Sequence, residues 1–251
     1  MTCRDRHALL GMALMCFALG APAAEISVAV AANFAAPLAR ISEGFTSATG
    51  HTLKVSSGPT GKFYSQILSG APFEVLIAAD DEIPKKLIAE GHAVAGSQFT
   101  YAIGQLVLWS TQPGLVDDQG AVLASGKFTR VAIANPKIAP YGQAALEVLK
   151  ARGLSGVVTP KLVTGESIAQ AYQFVFSGNA ELGFVALSQV AVPGKPVIGS
   201  YWRVPAGLHG EIRQDAVLLK TGQNKAAAIS LLAYLKSAPA RTIIQSFGYT
   251  F

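Results

Sequence analysis

Three short stretches of the chain have the composition of an anion-binding turn. They are residues 31–34 (AANF), 56–62 (SSGPTGK) and 140–142 (PYG), and each follows an apolar run and precedes apolar residues at helical spacing. The first N–H groups of a helix have no partner within the helix, so they attract anions. None of the three stretches contains an acidic residue. The pattern predicts a site for an oxyanion that is bound by neutral donors.

Thr60 is the strongest single candidate within these turns. It can offer a hydroxyl group and a backbone N–H at the start of a helix, and Gly61 shapes the turn beside it. From the residues alone, helix capping without any ligand explains Thr60 more simply, whereas Asn33 could cap a helix and also offer its backbone N–H to a ligand. The glycines before Lys62 lack the spacing of a phosphate-binding P-loop, and no Ser or Thr follows that lysine. We therefore expect Lys62 to be a solvated charge at the rim.

In their order along the chain, the three stretches resemble those of the periplasmic molybdate-binding proteins of ABC transporters. The resemblance runs from about Glu25 to Phe251. It implies that the ligand is molybdate or tungstate, that no other cofactor is needed, and that the loaded protein docks on a membrane permease. It also implies which residues contact the oxyanion: Asn33, Thr60, Tyr141 and Ile168, with Ala32 and Gly61 as further candidates.

Tyr141 and Ile168 belong to the half of the chain that the resemblance assigns to a second lobe. It implies that Ile168 donates its backbone N–H and that Tyr141 donates its phenol or its N–H. Without a ligand, a tyrosine packed across a lobe interface and a core isoleucine would explain the two side chains equally well. Ala186 stands where other members of the family have Tyr. We therefore expect Tyr141 to supply the hydroxyl group that Ala186 lacks.

Strand-like and helix-like segments alternate along the chain, which is typical of an α/β fold with largely parallel sheets. The residues alone leave open one large domain or two halves. The resemblance implies a two-lobe type II periplasmic binding protein fold, with a mixed sheet flanked by helices in each lobe and two crossover segments. Its lobes would be residues 24–102 with 216–251, and residues 103–215, and the chain would cross between them near 102–106 and 212–217.

Local patterns predict some elements in detail. Residues 102–109 form one long, largely apolar run, and residues 217–219 predict a returning strand. Asp81 is the expected N-cap of a helix that stops at Gly91, and Asp80 is the alternative cap.

The first residues have the features of a secretory signal peptide. Arg4 and Arg6 precede a short apolar run, and residues 21–23 (APA) supply a small-x-small cleavage pattern. The apolar run is shorter than the roughly 20 residues that a membrane-spanning helix needs. The sequence therefore predicts a signal peptide over residues 1–23, cleavage near Ala23–Ala24, and a mature protein in the periplasm.

The predicted mature chain has no cysteine, because Cys3 and Cys16 both lie in the signal peptide. Loss of residues 1–23 lowers the formal net charge from +5 to +4, since two arginines and one aspartate are removed. This mild positive bias helps to attract anions, but salt screens it beyond about 8 Å. The lysines and arginines are thinly spread, so we expect no nucleic-acid partner. We expect a monomer.

Other chemistries find little support in the residue pattern. His51, His92 and His209 share no metal-ligand spacing with each other or with carboxylates. The chain has no Gly-x-Ser-x-Gly elbow, no His-Glu-x-x-His motif and no Rossmann fingerprint. Two alternatives remain open: a binding protein for another oxyanion such as sulfate or thiosulfate, and, from a different class, a secreted hydrolase.

Overall fold

The computed structural model of the protein describes residues 23–251. The predicted signal peptide lies outside these residues except for Ala23, so its cleavage stays a prediction. In chain order, the strands of the described part are β1 (Glu25–Ala31), β2 (Thr52–Gly58), β3 (Val75–Ile77), β4 (Phe99–Gly104), β5 (Leu106–Ser110), β6 (Val131–Ala134), β7 (Leu162–Gly165), β8 (Leu182–Ala186), β9 (Ser200–Arg203) and β10 (Ile212–Leu218).

The helices lie between these strands and after the last one. In chain order, the α-helices are α1 (Ala35–Thr49), α2 (Thr60–Leu68), α3 (Glu82–Ala89), α4 (Val122–Ser125), α5 (Pro140–Ala151), α6 (Ser155–Val158), α7 (Ile168–Phe176), α8 (Leu187–Val190), α9 (Ala226–Leu235) and α10 (Ala238–Ser246). A short 3-10 helix at Ala32–Phe34 leads into α1. Over residues 23–251, none of the helices combines the length and the apolar character that a membrane span requires.

The strands form two five-stranded sheets of the same design. In the first, ordered β2-β1-β3-β10-β4, β1 is parallel to β2 and β3 while β10 is antiparallel to its neighbours. In the second, ordered β7-β6-β8-β5-β9, β6 is parallel to β7 and β8 while β5 is antiparallel to its neighbours. We call the first sheet with its helices lobe one, and the second sheet with its helices lobe two. The expected α/β fold with two mixed sheets is confirmed.

Strand β1 shows why the lobe-one sheet is covered on both faces. Side chains alternate between the faces of a strand, and Ile26, Val28 and Val30 join the cluster that includes residues of α1, α9 and α10. Ala29 points to the other face and joins residues of α2 and α3. All four side chains are fully buried. Because this part of the strand is buried on both faces, it is apolar from Val28 to Ala31.

The parallel strands place two helix starts at one edge of each sheet. Within lobe one, α1 follows β1 and α2 follows β2; within lobe two, α5 follows β6 and α7 follows β7. The carboxyl ends of parallel strands meet at a common edge, which is where ligands bind in open α/β sheets. The first turn of α1 contains Pro37, where the missing N–H of proline is not needed.

The chain crosses between the lobes on two strands that lie side by side. The long apolar run over 102–109 is divided between β4 in lobe one and β5 in lobe two. The returning strand β10 is longer than expected, since it begins at Ile212, which pairs with Gly104 of β4. Strand β9 was not expected. The lobe boundaries inferred from the sequence stay a prediction.

Asp81 occupies the N-cap position of α3, as expected, but the side chain that bonds to the helix start is that of Asp80. The Asp80 Oδ1 atom accepts a hydrogen bond from the Ile83 N–H at 2.8 Å, whereas the Asp81 carboxylate pairs with Lys85 Nζ at 2.5 Å. Burial raises the pKa of the Asp80 carboxyl to about 6; the Ile83 N–H opposes this rise, and nearby carboxylates, including Asp215, add to it.

We expect Asp80→Asn to stabilise the protein at pH 8 but not at pH 4. An aspartate pKa near 6 in the folded state exceeds its value of about 3.9 in the unfolded chain. The folded state therefore binds more protons between these values, and the free energy of unfolding falls as the pH rises through this range. Asparagine keeps an oxygen for the Ile83 N–H and removes the charge, which should gain roughly 2 kcal/mol above pH 7.

Denaturant unfolding at pH 4, 6 and 8 would measure the effect. Asp81→Asn is the matched control, because it changes the neighbouring carboxylate, which pairs with Lys85. An equal change in stability at all three pH values would contradict the assignment.

Candidate functional site

A small cavity lies between the lobes, where the helix starts of the two sheets face each other. Its volume is about 10 Å³, far below the roughly 300–1,000 Å³ of pockets for drug-sized ligands. A space of this size is about that of one water molecule, so a large organic solute does not fit in it. Five of the residues expected from the sequence line it together: Ala32, Asn33, Thr60, Tyr141 and Ile168.

The wall of this cavity carries no charged side chain. It consists of alanine, glycine, proline and isoleucine with one asparagine, one threonine and one tyrosine. A bound anion would therefore meet neutral hydrogen-bond donors and no countercharge. In residues 23–251, no group of three or more His, Cys, Asp and Glu side chains is placed to hold a metal ion.

Four backbone N–H groups at helix starts are free at this site. Thr60 and Ile168 are the first residues of α2 and α7, Tyr141 is the second residue of α5, and Asn33 lies in the 3-10 helix before α1. Within the described part of the chain, none of these N–H groups donates a hydrogen bond to a protein acceptor. The start of a helix also carries a partial positive charge. Each lobe thus contributes two donors suited to an anion.

The Thr60 hydroxyl group is oriented by the backbone. Its Oγ1 atom accepts a hydrogen bond from the Ala79 N–H at 3.0 Å, and the side chain is buried. The N-cap of α2 is Pro59 and receives no side-chain bond, so Thr60 does not act as the cap. Because its oxygen already accepts the Ala79 N–H, the hydroxyl proton of Thr60 is available for a ligand.

The side chain of Asn33 is committed to the protein. Its Nδ2 atom donates to Gln214 Oε1 at 2.8 Å and to the Tyr249 hydroxyl group at 2.9 Å. Both amide protons are thereby used, which leaves the backbone N–H of Asn33 for an anion. The side chain does not cap the 3-10 helix or α1.

Gly61 joins the lobes and does not line the cavity. Its N–H donates to the Ile138 carbonyl oxygen of lobe two at 3.0 Å, so this group is not free. A Cβ atom at Gly61 would lie 2.9 Å from Ile138 Cα, closer than side chains approach. The position therefore needs glycine for the lobes to meet.

The Tyr141 hydroxyl group points into a buried polar cluster. Its oxygen accepts a hydrogen bond from Gln214 Nε2 at 2.9 Å. Burial raises the pKa of the Tyr141 phenol well above its usual value, and the neighbouring Tyr249 raises it further. The phenol is therefore protonated at every physiological pH.

The other members of this cluster were not predicted from the sequence; they are Gln214, Tyr249, Tyr101 and Ser188. Ala186 ends β8 as a buried residue outside the cavity wall. One observation could have pointed to Gln214. It is a polar residue on the same face of β10 as the apolar Ile212 and Ala216, and it is fully buried. Such a residue requires partners.

Lys62 lies at the outer rim, as expected. Its Nζ atom is 3.5 Å from Glu166 Oε2 of lobe two, and the two side chains are 55% and 72% exposed. An ion pair this exposed contributes little to stability.

Two mixed α/β lobes that enclose a small cavity at their helix starts define a solute-binding protein. Residues 26–250 match the family described as bacterial extracellular solute-binding protein, and the chain belongs to that family.

Relatives within this family cover almost the whole chain. The chain is 58% identical over 240 residues to the molybdate-binding protein ModA of Azotobacter vinelandii, covering 96% of this chain and 94% of that protein. It is 54% identical over 236 residues to the protein of the same name from Rhodobacter capsulatus, covering 94% and 92%. The structure of the Azotobacter vinelandii periplasmic molybdate-binding protein matches with a TM-score of 0.88 at 43% identity, covering 90% and 99%. The family resemblance inferred from the sequence is confirmed.

We expect Thr60→Ala to weaken oxyanion binding by about 10-fold to 100-fold, because a hydrogen bond to a charged group contributes roughly 1.5–3 kcal/mol. Thr60→Ser keeps the hydroxyl group and should bind nearly as tightly as the parent. Lys62→Ala should have a smaller effect than Thr60→Ala, since its charge acts only across solvent. Calorimetry with molybdate and with sulfate would compare the variants. A larger loss for Lys62→Ala would indicate a charge-based site instead.

Proposed function

We propose that this chain binds molybdate, and tungstate in the same way, in the periplasm and delivers the anion to the membrane permease of an ABC transporter. The observation that carries the proposal is the cavity between the lobes, with free N–H groups from both lobes and no charged side chain. Two relatives that are more than half identical to the chain are named for molybdate binding. We propose that the chain acts as a monomer and after cleavage of its signal peptide.

The proposed ligand shell uses donors from both lobes. Lobe one contributes the N–H groups of Asn33 and Thr60 and the Thr60 hydroxyl group; lobe two contributes the N–H groups of Tyr141 and Ile168. Ala32 lines the same wall and completes the turn. Hydrogen bonds to a charged group contribute roughly 1.5–3 kcal/mol each, so about half a dozen are enough for tight binding after the costs of association. Gly61 acts in lobe contact and not in ligation.

Neutral donors suit a dianion that must also be released. Backbone N–H groups do not titrate, and the phenol behind them has a pKa far above neutral. The charge of the site is therefore the same at every physiological pH. A bound dianion would also be stabilised by the partial positive charge of four helix starts. No lysine or arginine lines the wall, so no ion pair must be broken when the anion leaves.

Donors on two lobes couple binding to closure. An anion that bonds to both lobes stabilises the closed arrangement over any open one, by its differential affinity for the two. The contact between Gly61 and Ile138 and the pair between Lys62 and Glu166 join the first turn of α2 to lobe two. The closed form is the one that we propose the permease recognises.

Hydrolysis is a weaker proposal for this site. Within residues 23–251, the cavity wall has no histidine, cysteine or carboxylate to act as a nucleophile or base, and the Thr60 oxygen has no adjacent general base of the kind that activates a hydroxyl. We therefore propose a binding protein without enzymatic activity.

Molybdate should bind more tightly than sulfate, at least roughly tens of times. The two anions share charge and shape, so only the radius of the donor shell can separate them. The smaller sulfate would leave buried N–H groups unpaired at about 1–3 kcal/mol each, and about 1.4 kcal/mol corresponds to a factor of ten. Side-by-side calorimetry would measure both affinities, and tungstate should match molybdate.

Thermal unfolding gives an independent check. At a concentration 100 times the dissociation constant, a ligand of the native state stabilises it by about 2.7 kcal/mol, which should raise Tm by roughly 5–10 °C. Sulfate binding that equals or exceeds molybdate binding would move the protein to the sulfate alternative. No shift with either anion at millimolar concentration would reject an oxyanion ligand.

A further inference from the structure

We propose that Gln214 is a positioning residue, which holds the anion-binding turns of the two lobes in register without touching the anion. The inference rests on the function proposed above. It concerns a side chain that does not line the cavity and lies on β10, the strand that returns the chain to lobe one.

Gln214 bridges the two lobes directly. Its Oε1 atom accepts from Asn33 Nδ2 at 2.8 Å, and its Nε2 atom donates to the Tyr141 hydroxyl group at 2.9 Å. Asn33 belongs to the turn after β1 in lobe one, and Tyr141 to the first turn of α5 in lobe two. Each of these two residues also presents a free backbone N–H at the cavity. One amide group thus connects a binding turn of each lobe.

The surrounding residues fix the orientation of this amide. The Tyr101 hydroxyl group lies 2.8 Å from Gln214 Oε1 and 2.9 Å from the Ala78 carbonyl oxygen. The Tyr249 hydroxyl group accepts the second Asn33 amide proton at 2.9 Å and lies 2.9 Å from the Asn33 carbonyl oxygen. Tyr101 has a single hydroxyl proton for these two acceptors, whereas the Asn33 amide nitrogen donates to Gln214 directly, so the Gln214 atom that faces Asn33 is the oxygen. The nitrogen therefore faces Tyr141.

The last residue of β4, Gly104, leaves space for the hydrogen bond between Gln214 and Tyr141. A Cβ atom at Gly104 would lie 2.3 Å from the Tyr141 hydroxyl oxygen and 2.4 Å from Gln214 Nε2. Any side chain there would separate the two groups. Gly104 ends β4 and pairs with Ile212, which begins β10. The space therefore lies where the chain passes between the two lobes.

The bridge has consequences for binding because all its groups are buried. Gln214 is fully buried and Tyr141 is 1% exposed, so loss of one partner leaves a buried polar group without water to replace it. A Tyr141 side chain that has lost its donor can move with the first turn of α5, and the N–H of that turn moves too. Affinity for the anion then falls although no ligand contact has been removed.

The first test is a double-mutant cycle on molybdate affinity. Gln214→Leu and Tyr141→Phe should each weaken binding by about tenfold or more, since a lost buried bond corresponds to a factor of about 5–150. The double variant should bind molybdate no more weakly than the single variant with the larger loss, because each substitution already removes the bond between Gln214 and Tyr141. Losses that multiply would show that Gln214 does not act through Tyr141.

Gln66→Leu is the matched control for the loss of an amide. The Gln66 Oε1 atom is buried and has no hydrogen-bond partner within residues 23–251, so the same substitution removes no bond to that atom. Molybdate affinity should be unchanged in this variant. An equal loss of affinity for Gln66→Leu and Gln214→Leu would point to a general effect of a buried amide and would overturn the proposal.

The second test uses Gln214→Glu, which keeps the shape of the side chain if Gln214→Leu fails to fold. A glutamate carboxylate cannot donate to Tyr141 and repels the anion, whereas the protonated form donates and restores the pattern of glutamine. The ratio of its molybdate Kd to that of the parent should therefore fall toward one as the pH falls from 8 to 5.

The groups that face position 214 leave this ratio interpretable. The phenols of Tyr101, Tyr141 and Tyr249 have pKa values raised by burial, so they stay protonated throughout. The carboxyl groups that act on the Tyr101 phenol, Asp80 and Asp215, are present in the parent as well, so both Kd values contain their effect. A ratio that does not change with pH would contradict the positioning role. A parent protein that fails to bind molybdate would instead reject the proposed function and would show in the same titration.

Discussion

A doubly charged anion can leave water only if hydrogen-bond donors replace its hydration shell, and this requirement explains the main features of the structure. The cavity has no cation on its wall, so the donors must be backbone N–H groups and a hydroxyl group. Such N–H groups are free only at the starts of helices. Parallel strands bring the starts of α1 and α2 to one sheet edge and those of α5 and α7 to another. Two lobes are needed because one edge supplies only half of the shell.

The same requirement makes the contact between the lobes polar. Backbone donors hold their positions only if the turns that carry them are rigid. Those turns therefore need hydrogen bonds to residues on the side away from the cavity. A buried cluster formed by Asn33, Gln214, Tyr249 and Tyr141 does this with hydrogen bonds of 2.8–2.9 Å. A polar cluster of this kind stabilises a structure only when every member is satisfied. Its partners come from both lobes, so the cluster is complete only when the lobes are closed.

The sequence could predict what depends on neighbours along the chain. The turns and helix starts at Thr60 and Ile168 are local patterns, but only the family resemblance indicated that these two residues bind a ligand; the structure brings them to one cavity. The contacts of Gln214 with Asn33 and Tyr141 span 181 and 73 residues, so no local pattern contains them. For the same reason, the sequence could not show that the Gly61 N–H donates a hydrogen bond to the Ile138 carbonyl oxygen. Residues 102–109 divide into β4 and β5 just after Gly104, which lies against the distant Tyr141.

Amide NMR of the mature protein, titrated with molybdate, tests the central claim most directly. A backbone N–H that donates to an anion shows a large downfield shift of its proton. We expect the largest shifts at Asn33, Thr60, Tyr141 and Ile168, which belong to both lobes, with Lys62 little affected. Shifts confined to one lobe, or centred on lysine and arginine residues at the rim, would contradict an anion held by neutral donors from two lobes.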